Sequence, residues 1–304
     1  MYKFQIFKGH SPNPQNEEYP FANNGFTVIT ARVGSGKTNL ALNIINILKK
    51  IYPITHVFIC AANVMQDKTI KSANLNPINL ASVSYNSVYR NDGCYAFEPD
   101  DLEPAINSYI LELCNTYEIY KEYEAINEQI YKIIEPYMHK DAPSDILELA
   151  VMYDSINKTI STIKRKTPPQ AILFLDDMSN DKIYTVCNNA NPFWQAVLAR
   201  RHRGLFIIST AHTLHSIYKP IREQISDAIF MAGQRIEELK EFYKENIEPV
   251  FPKYTFDEFS QLYFDHTGAN ETERDKRLAK KFNFITTYLI GQKITKQFDE
   301  CVKQ

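Results

Sequence analysis

Eight consecutive residues, Ala31-Arg32-Val33-Gly34-Ser35-Gly36-Lys37-Thr38, bring two glycines, a lysine and a hydroxyl together. Such a loop is built to hold phosphate. Gly34 and Gly36 let backbone N–H groups turn inward around phosphate oxygens, and a helix starting at Lys37 adds the positive end of its dipole. Lys37 then reaches the β- and γ-phosphates, while Thr38 offers its hydroxyl to Mg2+. The expected nucleotide-binding set is Val33, Gly34, Ser35, Gly36, Lys37, Thr38 and Asn39, with ATP and Mg2+ as the bound species. Ala31 stands where such loops usually carry their first glycine, so that position must keep an ordinary backbone conformation.

A second set is Ala171-Ile172-Leu173-Phe174-Leu175-Asp176-Asp177, an apolar run ending in two acids. Asp176, at the strand's edge, is the expected holder of Mg2+ through water, and Asp177 the group that polarises an attacking water. Adjacent acids favour hydrolysis over delivery of phosphate to a bound hydroxyl. The third set runs from Leu198 to His212 and places Arg200, Arg201 and Arg203 before an apolar run, with His212 after it. A solvated helix end, favoured by the dipole, accounts for the arginines equally well.

These residues need a scaffold. Phe26–Thr30 is a β-branched run directly before the loop, and Lys37–Lys50 carries apolar residues at Leu40, Ala41, Ile44 and Leu48, which is helical spacing. Val57–Cys60, Ala171–Leu175 and Leu205–Ser209 read as further buried strands, with Ala81–Tyr85 as another candidate. Helical patterns between them argue for a parallel sheet covered by helices. From 103 to 166 the pattern changes. Ile106, Ile110, Leu113, Tyr117 and Tyr120, then Tyr123, Ile126, Ile130, Ile133 and Tyr137, follow a three-four spacing. A break at Asp141-Ala142-Pro143 and a cap at Ser144 precede Ile146, Leu149, Met152, Ile156, Ile160 and Ile163. This is an inserted helical hairpin, either a packing insertion or a partner-docking arm. Helices near Gln234–Asn246 and Phe256–His266 and a candidate strand at Phe282–Ile290 complete the chain. The expected division is 1–102 and 167–233 for the two parts of a nucleotide-binding core, 103–166 for the hairpin, and 234–304 for a C-terminal helical region.

Composition narrows the function classes. The 304 residues are 44% hydrophobic and 23% charged, which excludes wholesale disorder. No run approaches the roughly 18 apolar residues of a membrane span, and the N-terminus lacks a signal-peptide pattern, so an intracellular protein without a membrane span is expected. Thirty-four basic against 36 acidic residues leaves any grip on nucleic acid local. Arg274, Lys276, Arg277, Lys280 and Lys281 are a candidate phosphate-contacting run, although Glu271, Glu273 and Asp275 among them suit a solvated face. The five cysteines lack metal or disulfide spacing and read as reduced structural thiols. His10, His56, His139, His215 and His266 lack metal spacing as well, and Trp194 reads as core.

Taken together, the loop at 31–38, the Asp176-Asp177 strand end and the Arg201–His212 element resemble the FtsK-HerA superfamily of DNA-pumping ATPases. Within it they are most similar to the poxvirus-type genome-packaging ATPases. The resemblance covers residues 20–65 and 168–235, and the hairpin and the last 70 residues match nothing specific. It implies an α/β, RecA-like (ASCE) P-loop NTPase with a mostly parallel central sheet flanked by helices. It also implies ATP hydrolysis that drives double-stranded DNA into a viral capsid. The working form would be a homo-oligomeric ring of five or six subunits on a capsid or procapsid vertex protein, in the virion or the host-cell cytoplasm. On the matching positions, Arg201 falls on the arginine such motors insert into a neighbour's site. His212 falls where the family usually has Gln as a γ-phosphate sensor, and Arg222 falls near a second family arginine that acts in trans. His can also donate a hydrogen bond, but with a different reach. Two alternatives stand beside this reading: a cellular or plasmid translocase or helicase of the same superfamily, and a nucleotide-gated switch that recruits partners through the hairpin.

Overall fold

Short apolar runs, buried on both faces in the central strands, form a ten-stranded sheet among the described residues. The computed structural model describes residues 21–303 except 22–23, 63, 74, 84–92, 110–113, 139–141, 164–165, 167–168, 179–181, 271, 274–276, 278–279, 281, 290–292 and 298–299. The strands are β1 (Phe26–Thr30), β2 (His56–Ala61), β3 (Ile78–Asn79), β4 (Gly93–Phe97), β5 (Ala171–Asp176), β6 (Leu205–Ala211), β7 (Asp227–Met231), β8 (Phe284–Tyr288), β9 (Lys293–Lys296) and β10 (Glu300–Lys303). Their order is β10-β9-β8-β7-β1-β6-β5-β2-β4-β3. Pairing is parallel from β7 through β3 and antiparallel from β7 to β10. Every residue of β1, β2, β5, β6 and β7 is buried, as expected of strands covered on both faces.

The strand order decides where the site lies. β6 sits between β1 and β5, so the loop after β1 and the acids ending β5 flank the residue that follows β6. The register sets Thr30 beside Ala211 and Leu175 beside Ser209, which brings the C-terminal ends of all three strands level. Ligands of open α/β sheets bind at that edge.

Helix α1 (Lys37–Ile51) returns the chain from β1 and buries Leu40, Ala41, Ile44, Ile45 and Leu48 in the core it shares with Ile29, Ile172, Phe174, Ile208 and Ile229. Each such side chain contributes about 1.5–3 kcal/mol when taken out of water. Lys49 and Lys50 complement the dipole in its last turn, and Tyr52, extended before Pro53, ends it. The remaining helices are α2 (Lys68–Ser72), α3 (Leu102–Ser108), α4 (Asn115–Ile134), α5 (Ser144–Thr162), α6 (Pro192–Ala199), α7 (Lys219–Arg222), α8 (Ile236–Phe242) and α9 (Phe256–Thr267).

Backbone contacts divide the described residues into two units, one of those up to Ala105 together with those from Gln170 onward, the other from Ile106–Pro169. In the second, α4 and α5 pair along a seam of Ile130, Ile134 and Ile156, flanked by Tyr123, Ile146, Leu149, Tyr153 and Ile160. Asn127 Nδ2 donates to Asn157 Oδ1 at 2.7 Å beside that seam. Ile126 and Ile133, expected to face inward, are exposed instead, because α4 turns a neighbouring stripe toward α5.

Several expectations need correction. Leu80–Ser82 is a single 3-10 turn capped by the Asn79 side chain, not the start of a strand over Ala81–Tyr85; residues 84–85 lie outside the described set. The neighbouring strands are β3 and β4. The helix expected over Gln234–Asn246 begins at Ile236 and passes into a π-helical turn at Tyr243–Ile247. The candidate strand at Phe282–Ile290 is β8, shorter at both ends, and Ile290 lies outside the described residues. In the basic run, Arg274, Lys276 and Lys281 also lie outside them, and Lys280 Nζ donates to the Asp265 carbonyl. Trp194 is only half-buried; the adjacent Phe193 fills the core. Cys60, Cys94 and Cys114 are buried and in no disulfide, and burial pushes the Cys94 pKa up to about 12.

Candidate functional site

The loop after β1 owes its shape to its glycines. Gly34 (φ 74°) and Gly36 (φ 89°) adopt left-handed conformations that side chains rarely take. Ala31 is not among the residues with positive φ, so the missing first glycine costs nothing there. Its amide donates to the Ala211 carbonyl at 3.2 Å, stitching the loop to β6. Ser35 Oγ closes the loop on the Arg32 carbonyl. Arg32 Nε donates to the Gly233 carbonyl at 3.0 Å, and a Cβ on Gly233 would stand 2.6 Å from Arg32 Cγ. Gly233 thus lets the loop after β7 close on the phosphate-binding loop.

Gly36 begins α1 without a side-chain cap, and no acid sits in the first turn. Leu40 is the first residue whose N–H reaches an intrahelical carbonyl, at 2.9 Å from Gly36 O. The N–H groups of Lys37, Thr38 and Asn39 precede it and find no acceptor within the helix. With open space around the Cβ position of Gly34, these features fit a phosphate group. Val33, at the tip, is 83% exposed.

Behind the loop the acids and the lysine meet. Thr38 Oγ1 donates to Asp176 at 2.9 Å (Oδ2) and 3.1 Å (Oδ1). Thr210, near the end of β6, donates its hydroxyl to Asp176 Oδ1 at 2.6 Å and accepts the Asp177 N–H at 2.9 Å. Burial raises the Asp176 pKa, the hydrogen bonds from Thr210 and Thr38 oppose this, and the charges of Asp177 and Asp67 add to it. Hard oxygen donors at Thr38 and Asp176 suit Mg2+, which keeps several waters and takes phosphate oxygens besides. Among the described residues no group of three or more His, Cys, Asp or Glu forms a metal site of its own.

Asp177 adopts φ 53°, a left-handed turn that Asp tolerates better than most residues, and this points its carboxylate back over the loop. His212 Nε2 lies 3.0 Å from Asp177 Oδ2, and His212 Nδ1 lies 2.8 Å from Lys37 Nζ. Lys37 Nζ is also 4.0 Å from Asp177 Oδ1 and 3.4 Å from the Ala31 carbonyl. Lys37 is 7% exposed; desolvation lowers its pKa, against the pull of Asp177 and Asp176. The structure therefore brings Lys37, Thr38, Asp176, Asp177 and His212 together around one point.

The arginines separate. Arg200 is buried, donating to the Val197 and Gln224 carbonyls. Arg201 is exposed, and among the described residues no hydrogen bond or ion pair holds it. Arg222, expected as a second trans contact, is held by its own chain here. It is 6% exposed, and all its N–H groups are directed within its own chain: to Glu245 (3.2 and 3.0 Å), Glu241 (2.7 Å), Leu214 O (3.5 Å) and Ile217 O (3.3 Å). Arg222, Leu214, Glu241 and Glu245 line a small pocket with His215 and Glu238. Sequence reasoning assigned no role to Thr210, Arg32 or Gly233; only the strand order reveals that a Thr one register from Asp176 must touch it.

No family model matches the sequence, and no curated protein matches it. Solved structures do. The genome packaging NTPase B204 from Sulfolobus turreted icosahedral virus 2, in complex with AMPPCP, superposes with a TM-score of 0.51 at 14% identity, over 91% of this chain and 98% of that one. The same NTPase in complex with ATP-gammaS gives 0.50 at 13% identity, over 92% and 100%. Its sulfate complex gives 0.50 at 13%, over 92% and 98%. The likeness shows the fold: an α/β, mostly parallel sheet of the kind found in P-loop ATPases, as the sequence resemblance implied.

Proposed function

We propose that this protein is an ATPase of viral genome packaging, a homo-oligomeric ring that moves double-stranded DNA into a capsid through a vertex protein. The observation that carries the reading is the convergence of Lys37, Thr38, Asp176, Asp177 and His212 at the level ends of β1, β5 and β6. The likeness to a packaging NTPase over nearly the whole chain supports the fold on which it rests. The amides of Lys37, Thr38 and Asn39 and the Lys37 ammonium would hold the phosphates, while Thr38 and Asp176 would hold Mg2+. The cation, when bound, neutralises charge on the β- and γ-phosphate oxygens. Asp177 would orient and deprotonate the attacking water, and Arg201, exposed and unpaired among the described residues, would complete a neighbour's site. The protein would work where virions assemble, in the host cell or the particle.

The test is ATP turnover with and without long duplex DNA, paired with a mass measurement of the nucleotide-bound assembly. The reading expects turnover that duplex DNA stimulates, in a closed ring. ATP binding without hydrolysis would favour a nucleotide-gated switch, and strand displacement would favour a helicase.

A further inference from the structure

His212 touches both the phosphate-binding lysine and the second acid. A Lys ammonium has donors and no acceptor, so at 2.8 Å its partner nitrogen, Nδ1, must supply a lone pair. That choice leaves the ring proton on Nε2, which points at Asp177 Oδ2 at 3.0 Å. Nδ1 is also 3.3 Å from the Ala31 carbonyl, but Lys37 Nζ reaches the same carbonyl at 3.4 Å, so the ammonium can serve both acceptors. The bond directions then follow from Lys37: ammonium to Nδ1, Nε2–H to carboxylate. The other end of Asp177 is fixed as well, its N–H donating to Thr210 Oγ1 at 2.9 Å in a left-handed turn. His212 follows Ala211, whose carbonyl accepts the Ala31 N–H, so the backbone that carries the ring is tied to the phosphate-binding loop. Asp177 is half-exposed, and without this hydrogen bond its side chain would be free to rotate toward solvent.

Resting on the ATPase reading, we propose that His212 is a positioning residue: it takes its tautomer from Lys37 and uses the other ring nitrogen to aim the Asp177 carboxylate. This differs from a γ-phosphate sensor, which contacts nucleotide and distinguishes ATP from ADP. It also predicts which substitutions work. Gln offers an acceptor oxygen and a donor NH2 and can preserve the polarity of the chain; Leu fills the space with neither.

The test has two arms. The first is 15N NMR of the imidazole in the full-length protein, without nucleotide. The inference expects His212 to carry its proton on Nε2, and expects Lys37→Met to relax that preference. A protonated Nδ1 facing Lys37 would overturn it. The second is single-turnover hydrolysis with ATP and ADP affinities from calorimetry for His212→Gln and His212→Leu. The Leu variant should lose about ten- to hundredfold in kcat, the scale of a misplaced reacting group, with both affinities within about threefold of the native protein. The Gln variant should stay within about threefold in kcat. Native kcat in His212→Leu, equal losses in Gln and Leu, or a selective loss of ATP affinity would each overturn the inference. Absence of nucleotide binding in the unsubstituted protein would instead overturn the ATPase reading, and the tautomer result would still stand on its own.

Discussion

Thr38 Oγ1 lies within hydrogen-bond distance of both Asp176 carboxylate oxygens, at 2.9 and 3.1 Å, although β1, which leads into α1, is separated from β5 in the sheet by β6. One hydroxyl thus ties the helix that would receive phosphate to the strand that would hold the metal.

Replacing Thr38 with Val keeps the shape and removes the hydroxyl. The affinity for nucleotide in the presence of Mg2+ should fall about ten- to hundredfold, whereas affinity measured with a chelator should hardly change. Calorimetry under the two conditions checks this. Equal losses with and without metal would mean that Thr38 supports the loop and not the cation.

That geometry was partly legible in the sequence. The run Phe26–Thr30, the glycines at 34 and 36 and the helical spacing from Leu40 to Leu48 are local signals, and the elements they indicate are β1, the loop and α1. Local patterns cannot report strand order, so the contact of Thr210 with Asp176 emerges only from the placement of β6 beside β5. Gly93–Phe97 and Asp227–Met231 have few β-branched residues, and tertiary pairing with β2 and β1 makes them strands. The surroundings of Arg222 were hidden for a related reason: in sequence it is one more basic residue, and only the fold shows Glu241 and Glu245 beside it.

Arg222→Met should therefore act on stability. The substitution keeps the apolar stem but leaves Glu245, 12% exposed, with only the exposed Lys219 at 3.8 Å in place of the guanidinium. A broken buried pair of this kind costs about 3 kcal/mol, which lowers the melting midpoint by roughly 6–12 °C in a domain of this size. A trans-acting arginine predicts the opposite pattern, native melting with lost turnover.

Glu238 gives a pH signature. Burial raises its pKa, against the lowering influence of His215 and Arg235, while Glu237 and Glu241 add to the rise. Below the ordinary Glu value, about 4.3, the group is protonated in folded and unfolded chains alike, and its contribution to stability is fully present. As pH rises the unfolded chain ionises first, so that stability is lost through the raised folded value. Glu238→Gln cannot ionise and avoids the loss. Melting curves across this range should show the Gln variant gaining on the native protein as pH increases, and a constant difference would contradict the burial argument.

Arg201 should work across a subunit boundary. A trans arginine contributes about 10³ to 10⁵ in rate, so Arg201→Ala should bind ATP normally and hydrolyse it poorly. Asp177→Ala should be inactive through its own site. Mixing the two creates interfaces in which an intact Asp177 faces an intact Arg201, and these should regain turnover in mixed assemblies shown to form. A solvated helix-end arginine predicts near-native activity for Arg201→Ala alone, and a cis-acting one predicts no recovery.

In the proposed function the ends of β1, β5 and β6 form a site that binds ATP and hydrolyses it with Asp177 as the acceptor of the water's proton. Asp177→Asn tests it most directly, because the amide is nearly isosteric yet cannot take that proton, while Thr38 and Asp176 remain to hold the metal. The measurement is ATP affinity by calorimetry beside single-turnover hydrolysis of bound ATP, for the native and Asn proteins. Equal affinity is expected, with hydrolysis slower by about 10² to 10⁴ in the variant. Native-rate hydrolysis by Asp177→Asn, or no ATP binding by either protein, would contradict it.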